Sequence, residues 1–171
     1  MNDPIILKKN GTQFDTIQYM SEIAKQTAKH PFFKKYIRKN NMTGTPEDLE
    51  KFFVDIFYNT YYKKDPLGRQ QIRSGTRLLR EKFGNCVDYS VIFSAFLLNL
   101  NVPHYFRMIS TDPKDKDNYS HIYLKTDDNI TFDAVLGQDQ YGNEYLKHIT
   151  ERRPKFNTEA NFSNKFDLKV L

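Results

Sequence analysis

The chain has no tryptophan and a single cysteine among its 171 residues. One cysteine rules out a fold held together by internal disulfide bonds. Metal ligands are equally scarce, since the four histidines are far apart in the sequence and none is closely paired with the cysteine. The sequence therefore does not predict a structural zinc site.

Long apolar runs are also missing. The longest, 91–98, contains Ser94 and is far shorter than the roughly 20 residues that a membrane-spanning helix needs. Residues 1–13 lack the apolar centre of a signal peptide. We therefore expect no membrane span and no signal peptide.

Basic residues are in modest excess, with 26 Lys and Arg against 21 Asp and Glu and a net charge of +5. They are spread along the chain, and the two densest stretches, 34–39 and 69–82, fit the solvated faces of helices or loops. An excess of basic residues by itself is a weak indication of nucleic acid binding, so nucleic acid is not an expected partner. Because 15% of the residues are aromatic and none is Trp, Phe and Tyr are expected to carry much of the core.

The first half of the chain has the periodicity of helices. Apolar residues recur at helical spacing over about 15–39, with Pro31 breaking or kinking the segment. A second helix begins at Thr45 and Pro46, which suit the cap and the first helical position. A third helix, about 86–99, is apolar on nearly every side, which is typical of a central, buried helix.

In the second half of the chain the hydrophobic pattern changes to the two-residue alternation of strands. Segments 104–109, 120–125 and 130–135 are predicted strands, separated by polar turns. Helices followed by an antiparallel sheet indicate an α+β fold, with the central helix packed on the sheet. We expect a single domain over 1–171, with a core at about 45–137, a helical N-terminal arm at 1–44 and a C-terminal extension at 138–171 that the pattern does not assign.

Cys86 lies in the first turn of the predicted central helix. The positive end of a helix dipole stabilises a thiolate, and the preceding Gly84-Asn85 lets the backbone turn tightly and approach a substrate. Backbone N–H groups at this position are placed to hold an oxyanion. The alternative is a buried, inert cysteine, which is the common state of a lone cysteine.

His121 and Asp133 lie on neighbouring predicted strands joined by a turn at 127–129, which makes them cross-strand neighbours. A carboxylate beside the imidazole would orient it, and the imidazole would activate the Cys86 thiol. Taken singly, a satisfied surface histidine and a strand-end aspartate are the simpler interpretations. Together with Cys86 they predict a Cys–His–Asp triad. The remaining histidines, His30, His104 and His148, are interpreted as structural or exposed.

Several short motifs in this order give the chain a family resemblance. They are Asp65-Pro66-Leu67-Gly68, Ile72-Arg73-Ser74, Leu78-Leu79, Gly84-Asn85-Cys86-Val87-Asp88-Tyr89-Ser90, Leu97-Leu98, Asn101-Val102-Pro103, Ser120-His121-Ile122-Tyr123 and Thr131-Phe132-Asp133-Ala134. Over about 48–137 the chain resembles the transglutaminase-like superfamily, whose fold is related to papain, and within it the small bacterial and phage-associated members. Three positions depart from the usual pattern: Asn85 replaces an aspartate, Gly75 a proline and Asn101 a glycine.

The resemblance implies acyl transfer through a thioester, with Cys86, His121 and Asp133 as catalytic residues and with no metal or cofactor. Amide hydrolysis by a cysteine peptidase or amidase is the first expectation, on a peptide, protein or peptidoglycan-type substrate. The alternatives are a non-catalytic structural or interaction module, such as a phage virion component with an assembly partner, and a protein-crosslinking transglutaminase. The expected location is the cytoplasm, or a virion and its host's cytoplasm.

Two residues near the cysteine are given supporting roles. Asp88 is expected to help cap the helix that begins at Cys86. The turn at Arg73-Ser74 is expected to be structural, with Arg73 in an exposed ion pair to Asp65 or Asp88 that would add only about 0–1 kcal/mol of stability.

Overall fold

The structure is a computed structural model that describes residues 11–66, 70–110, 114–134 and 164–171. The helices are α1 (Gln13–Ala28), α2 (Pro31–Lys39), α3 (Pro46–Asn59), α4 (Gly75–Glu81) and α5 (Cys86–Asn99). The strands are β1 (Tyr61–Tyr62), β2 (Phe83–Gly84), β3 (His104–Ser110), β4 (His121–Thr126), β5 (Thr131–Phe132) and β6 (Asn164–Lys169). The predicted α+β fold class is confirmed.

Side-chain caps fix where the helices begin. Thr12 and Asp15 form a capping box at α1, in which each side chain accepts a hydrogen bond from the other residue's backbone N–H. Thr45 and Asp48 do the same at α3. Pro31 divides the helix predicted over 15–39 into α1 and α2, because it lacks the N–H that a helix interior needs and suits a first turn instead.

The main sheet has four strands in the order β5-β4-β3-β6, and every neighbouring pair is antiparallel. The register sets Ile109 opposite His121 and Arg107 opposite Asp167. The predicted strand over 130–135 is observed as the two residues of β5. Strand β6 was not predicted, and neither was the short parallel pair of β1 with β2. The pair of β1 with β2 holds the segment after α3 against the residues that lead into Cys86.

Helix α5 is the centre of the core, as its composition predicts. Every residue from Val87 to Leu97 is buried, and α1, α4 and β4 pack around the helix. Aromatic rings fill much of the space, with Phe52 stacked on Phe96 at 3.8 Å between ring centroids. Within the described residues, the helices are all too short or too polar to cross a membrane.

Helices α1 and α5 run side by side in the same direction. At their C-terminal ends the Asn99 side-chain amide donates to the Ala28 carbonyl at 2.9 Å. At their N-terminal ends Gln13, Thr16 and Cys86 line one cleft. The N-terminal ends of these two helices therefore form one part of the candidate site.

Candidate active site

Cys86 is the first residue of α5, and its local sequence explains why the helix begins there. The Asn85 side-chain oxygen accepts hydrogen bonds from the backbone N–H groups of Val87 and Asp88, at 3.0 and 3.2 Å. The Asp88 carboxylate in turn accepts from the Asn85 backbone N–H at 2.9 Å, which completes a capping box and confirms the capping role predicted for Asp88. The half-buried thiol of Cys86 thus lies at the positive end of the central helix.

His121 and Asp133 are in contact, at the ends of two neighbouring strands. Nε2 of His121 lies 2.7 Å from Oδ2 of Asp133, whose side chain is only 1% exposed. The Cys86 side chain is close enough to raise the pKa of His121, and both residues line one cleft. Because Asp133 occupies Nε2, Nδ1 is the ring nitrogen that remains for the sulfur. The structure therefore brings together the three side chains that the sequence singled out.

The charge state of His121 follows from these contacts. Burial alone would lower the pKa of His121, but the Asp133 carboxylate and the Cys86 side chain raise that pKa to about 10. An imidazole in this setting holds its proton through the neutral pH range. The arrangement therefore places a cationic imidazole beside the Cys86 side chain.

A cleft of about 130 Å³ opens beside the sulfur. Its apolar side chains are Val87, Met108 and Ile122, and its polar ones, besides Cys86 and His121, are Gln13, Thr16, Gln70, Tyr119 and Ser120. A carbonyl group entering the cleft would meet the thiol between an apolar floor and a rim of neutral hydrogen-bonding groups. No metal centre is indicated, because the described residues contain no cluster of three His, Cys, Asp or Glu side chains placed to bind an ion.

Gln13 is a cleft residue that sequence reasoning missed. Its side-chain amide donates to Asn118 Oδ1 and to the Tyr119 carbonyl, at 2.9 and 3.1 Å, and accepts from the Tyr119 N–H at 3.0 Å. It thus ties the start of α1 to the segment that leads into His121. The helical spacing in the sequence was recognised only from about residue 15, whereas α1 begins at Gln13. The spacing of Thr12 and Asp15, that of a capping box, could have placed the start of α1 correctly.

Arg73 stands behind the cysteine helix in a buried cluster of carboxylates. Its guanidinium lies 2.7 Å from Asp88, 3.1 Å from Asp65 and 3.3 Å from Glu81. The expected pair was an exposed one, and this is wrong, since the side chains of Arg73 and Asp88 are only 6% and 0% exposed. Burial raises the pKa of Asp88 to about 6, while two backbone N–H groups and Arg73 favour its charged form. Removing one member of a buried cluster destabilises a protein far more than removing one member of an exposed pair does.

Two departures from the family pattern have local explanations. The Asn85 side-chain N–H donates to Asp65 Oδ2 at 2.8 Å, a contact that an aspartate at this position would replace by two facing carboxylates. Gly75 is so tightly enclosed that a Cβ there would lie 2.9 Å from Thr27 Cγ2 and 3.0 Å from Ile92 Cγ1. A proline ring would not fit at position 75 without displacing these neighbours.

The other histidines lie away from the cleft. His30 caps α2 by accepting from the Phe32 N–H. His104 is completely buried, and burial lowers its pKa to about 4, so the neutral ring donates from Nδ1 to the Val102 carbonyl and accepts at Nε2 from Ser94. Of the two interpretations left open for His104, the structure supports the structural one. His148 lies outside the described residues.

Comparison with known families shows which family this chain belongs to. A family model described as a transglutaminase-like domain matches residues 12–161. The chain belongs to the transglutaminase-like family. No curated protein and no solved structure was found to match it.

The transglutaminase-like match confirms the resemblance seen in the sequence and extends it in both directions. The motifs that carried the resemblance cover about 48–137, whereas the family model also includes α1 and α2. The family model thus also covers most of the segment that the sequence analysis described as a helical N-terminal arm. The family match supports an enzyme of the thiol-dependent acyl transfer and peptidase class.

Proposed function

We propose that this transglutaminase-like protein hydrolyses an amide bond through a Cys–His–Asp triad of Cys86, His121 and Asp133. The observation that carries the proposal is the 2.7 Å contact of Asp133 with His121, which lines the same cleft as Cys86. Each residue has a role that follows from its surroundings. Cys86 is the nucleophile, His121 transfers the proton, and Asp133 orients the ring and stabilises its charge.

The reaction begins from the ion pair of thiolate and imidazolium. The thiolate attacks the amide carbonyl, a C–S bond forms, and the carbonyl oxygen takes the negative charge. Asn85 occupies the Val87 and Asp88 N–H groups, so the Cys86 backbone N–H is the first-turn donor assigned to this oxyanion. The C–N bond then breaks as His121 gives its proton to the leaving amine, and a thioester remains on Cys86.

Release of the acyl group completes the cycle. His121, now neutral, takes a proton from water, and the resulting hydroxide attacks the thioester carbonyl. The C–S bond breaks, a carboxylic acid leaves, and the ion pair is restored. A primary amine in place of water would give a new amide and make the enzyme a crosslinking transferase, which is the second use of the same thioester.

Trapping the thioester tests the proposal without knowledge of the natural substrate. The protein is mixed with p-nitrophenyl acetate, quenched in acid and weighed by mass spectrometry, with Cys86→Ala as the matched control. We expect an acetyl group on Cys86 that hydroxylamine removes, and water-dependent turnover that an added primary amine partly diverts to amide. A protein whose Cys86 stays unacylated while its fold is intact would overturn the proposal in favour of a non-catalytic interaction module.

Asp133 is expected to orient His121, and its removal should be less harmful than removal of the imidazole. Asp133→Ala should lower the acylation rate roughly 10²-fold, at the low end of the range for positioned proton-transfer groups, and His121→Ala should lower it further. Asp127→Ala is the control, because that carboxylate is 52% exposed and pairs with Lys169 instead. Stopped-flow release of p-nitrophenol measures all three variants. Equal rates for Asp133→Ala and the wild type would remove Asp133 from the site.

A further inference from the structure

The structure gathers basic side chains at the end of the molecule opposite the cleft. Lys29, which follows α1, lines a groove of about 720 Å³ together with Pro31 and four basic residues of α2. The α2 residues are Lys34, Lys35, Arg38 and Lys39, whose helical spacing puts them on one exposed side of the helix. This set of five cations is called the α2 basic face. Lys29 lies 13 residues along from Thr16 of the cleft, or about 20 Å at helical rise.

The described residues do not neutralise the α2 basic face. Within the part of the chain that the structure describes, no ion pair joins any of its five cations to a carboxylate. All five side chains are exposed. The face therefore concentrates positive charge in a protein whose isoelectric point is about 9.1, the combination expected where a polyanion binds.

We propose that the α2 basic face binds the phosphate backbone of nucleic acid without regard to sequence. A phosphodiester chain has the charge density that five closely spaced cations match, with one negative charge per roughly 1.7 Å of duplex. Interfaces with nucleic acid are more polar and more positively charged than those with protein. The sequence shows the basic stretch 34–39 but does not bring Lys29 beside it, because the break at Pro31 lies between them.

Two other kinds of partner fit the face less well. A helix that lies on a membrane inserts an apolar side, but the apolar residues of α2 pack inward, with Phe33 fully buried and Phe32, Tyr36 and Ile37 against the core. A protein partner would bring an interface with an apolar centre, in which lysine is depleted. Among the described residues, Pro31 is the one apolar residue that lines the groove beside the α2 basic face.

Fluorescence anisotropy with a labelled DNA duplex of about 20 base pairs and mixed sequence tests the proposal. We expect a dissociation constant in the range of roughly 10⁻⁴–10⁻⁶ M, typical of sequence-independent binding. If all five cations contact phosphates, the logarithm of the association constant should fall against the logarithm of salt concentration with a slope of about −4.5. Phosphatidylserine vesicles and polyglutamate, assayed in parallel at equal negative charge, should bind more weakly.

The decisive variant reverses three charges of the face: Lys34→Glu, Lys35→Glu and Arg38→Glu. Its matched control reverses three exposed lysines elsewhere, Lys64→Glu, Lys116→Glu and Lys165→Glu, so that net charge changes equally. The face variant should bind DNA about 10²-fold more weakly and make the salt slope about 2.7 less steep, and the control should change both far less. If circular dichroism shows that the charge reversals unfold α2, the corresponding Gln substitutions replace them.

Several results would overturn the proposal: no DNA binding at low salt, equal losses in the two triple variants, an unchanged salt slope in the face variant, or tighter binding to the vesicles or to polyglutamate. The measurement is repeated with protein whose Cys86 has been alkylated by iodoacetamide. Because the face lies at the other end of α1 from the cleft, alkylation should leave DNA binding unchanged. Failure of the nucleic acid proposal is thereby distinguishable from failure of the acyl-transfer proposal.

Discussion

Cys86 should react with iodoacetamide at pH 6 at least about 30-fold faster in the wild-type protein than in His121→Ala. An ordinary thiol titrates near pH 8.5, so only about 0.3% of it is thiolate at pH 6. In the proposed triad the imidazolium of His121 would stabilise the thiolate, while Asp133, 2.7 Å from the ring, holds it in place. Removing the imidazole removes the partner charge, which leaves the helix N-terminus as the remaining stabilising influence. Alkylation followed by mass spectrometry over pH 5–10 measures both proteins.

The raised pKa of His121 leads to a second expectation, about the free energy of unfolding. The pKa of His121 is raised from an ordinary 6.5 to about 10 in the folded protein, so its protonation favours the folded state. That stabilisation is complete below about pH 6.5 and is lost as the pH rises through about 10. The unfolding free energies of the wild type and His121→Ala should therefore converge across this window in urea titrations. Alkylation that follows the same ordinary thiol curve in both proteins, with a stability difference independent of pH, would contradict the ion pair.

The sequence predicted the parts of this fold that depend on local rules. Helix α5 was predicted over its full length because it is apolar on nearly every side and begins at a recognisable cap. Asn101, which replaces the family's glycine, has a left-handed backbone with φ of 53°, a conformation that asparagine tolerates at a helix end. His121 and Asp133 could be paired because a short turn joins two strands whose side chains alternate.

The parts that sequence reasoning missed depend on distant partners. Strand β6 alternates half-buried and exposed residues and is largely polar, so it has little strand character until β3 supplies its backbone partners. Gln13 finds its partners more than 100 residues away, at Asn118 and Tyr119. The burial of Arg73 also depends on distant partners, because the three carboxylates around it come from the segment after β1, from α4 and from α5.

Arg73→Met should destabilise the protein by about 3–5 kcal/mol, because it leaves a buried carboxylate without its counter-charge. Asp88 loses a 2.7 Å ion pair and keeps only its bonds from the backbone N–H groups of Arg73 and Asn85. Lys51→Ala is the control, since its pair with Asp55 is 49% and 38% exposed and should contribute at most about 0.5 kcal/mol. Both losses of unfolding free energy are obtained from the shifts in the urea midpoint, with the same slope of free energy against urea concentration used for all proteins.

The pH dependence of this loss identifies its cause. Without Arg73 the pKa of Asp88 should rise above its present value of about 6, so that a pH near 5 protonates the carboxyl and relieves the cost of burying its charge. The stability gap between wild type and Arg73→Met should therefore narrow as the pH falls from 8 to 5, and Arg73→Met with Asp88→Asn should recover part of the loss. A stability loss below about 1 kcal/mol would show that the cluster does not hold the helix start in place. If Arg73→Met instead folds normally but no longer acylates Cys86, Arg73 belongs to the catalytic machinery and its structural role is wrong.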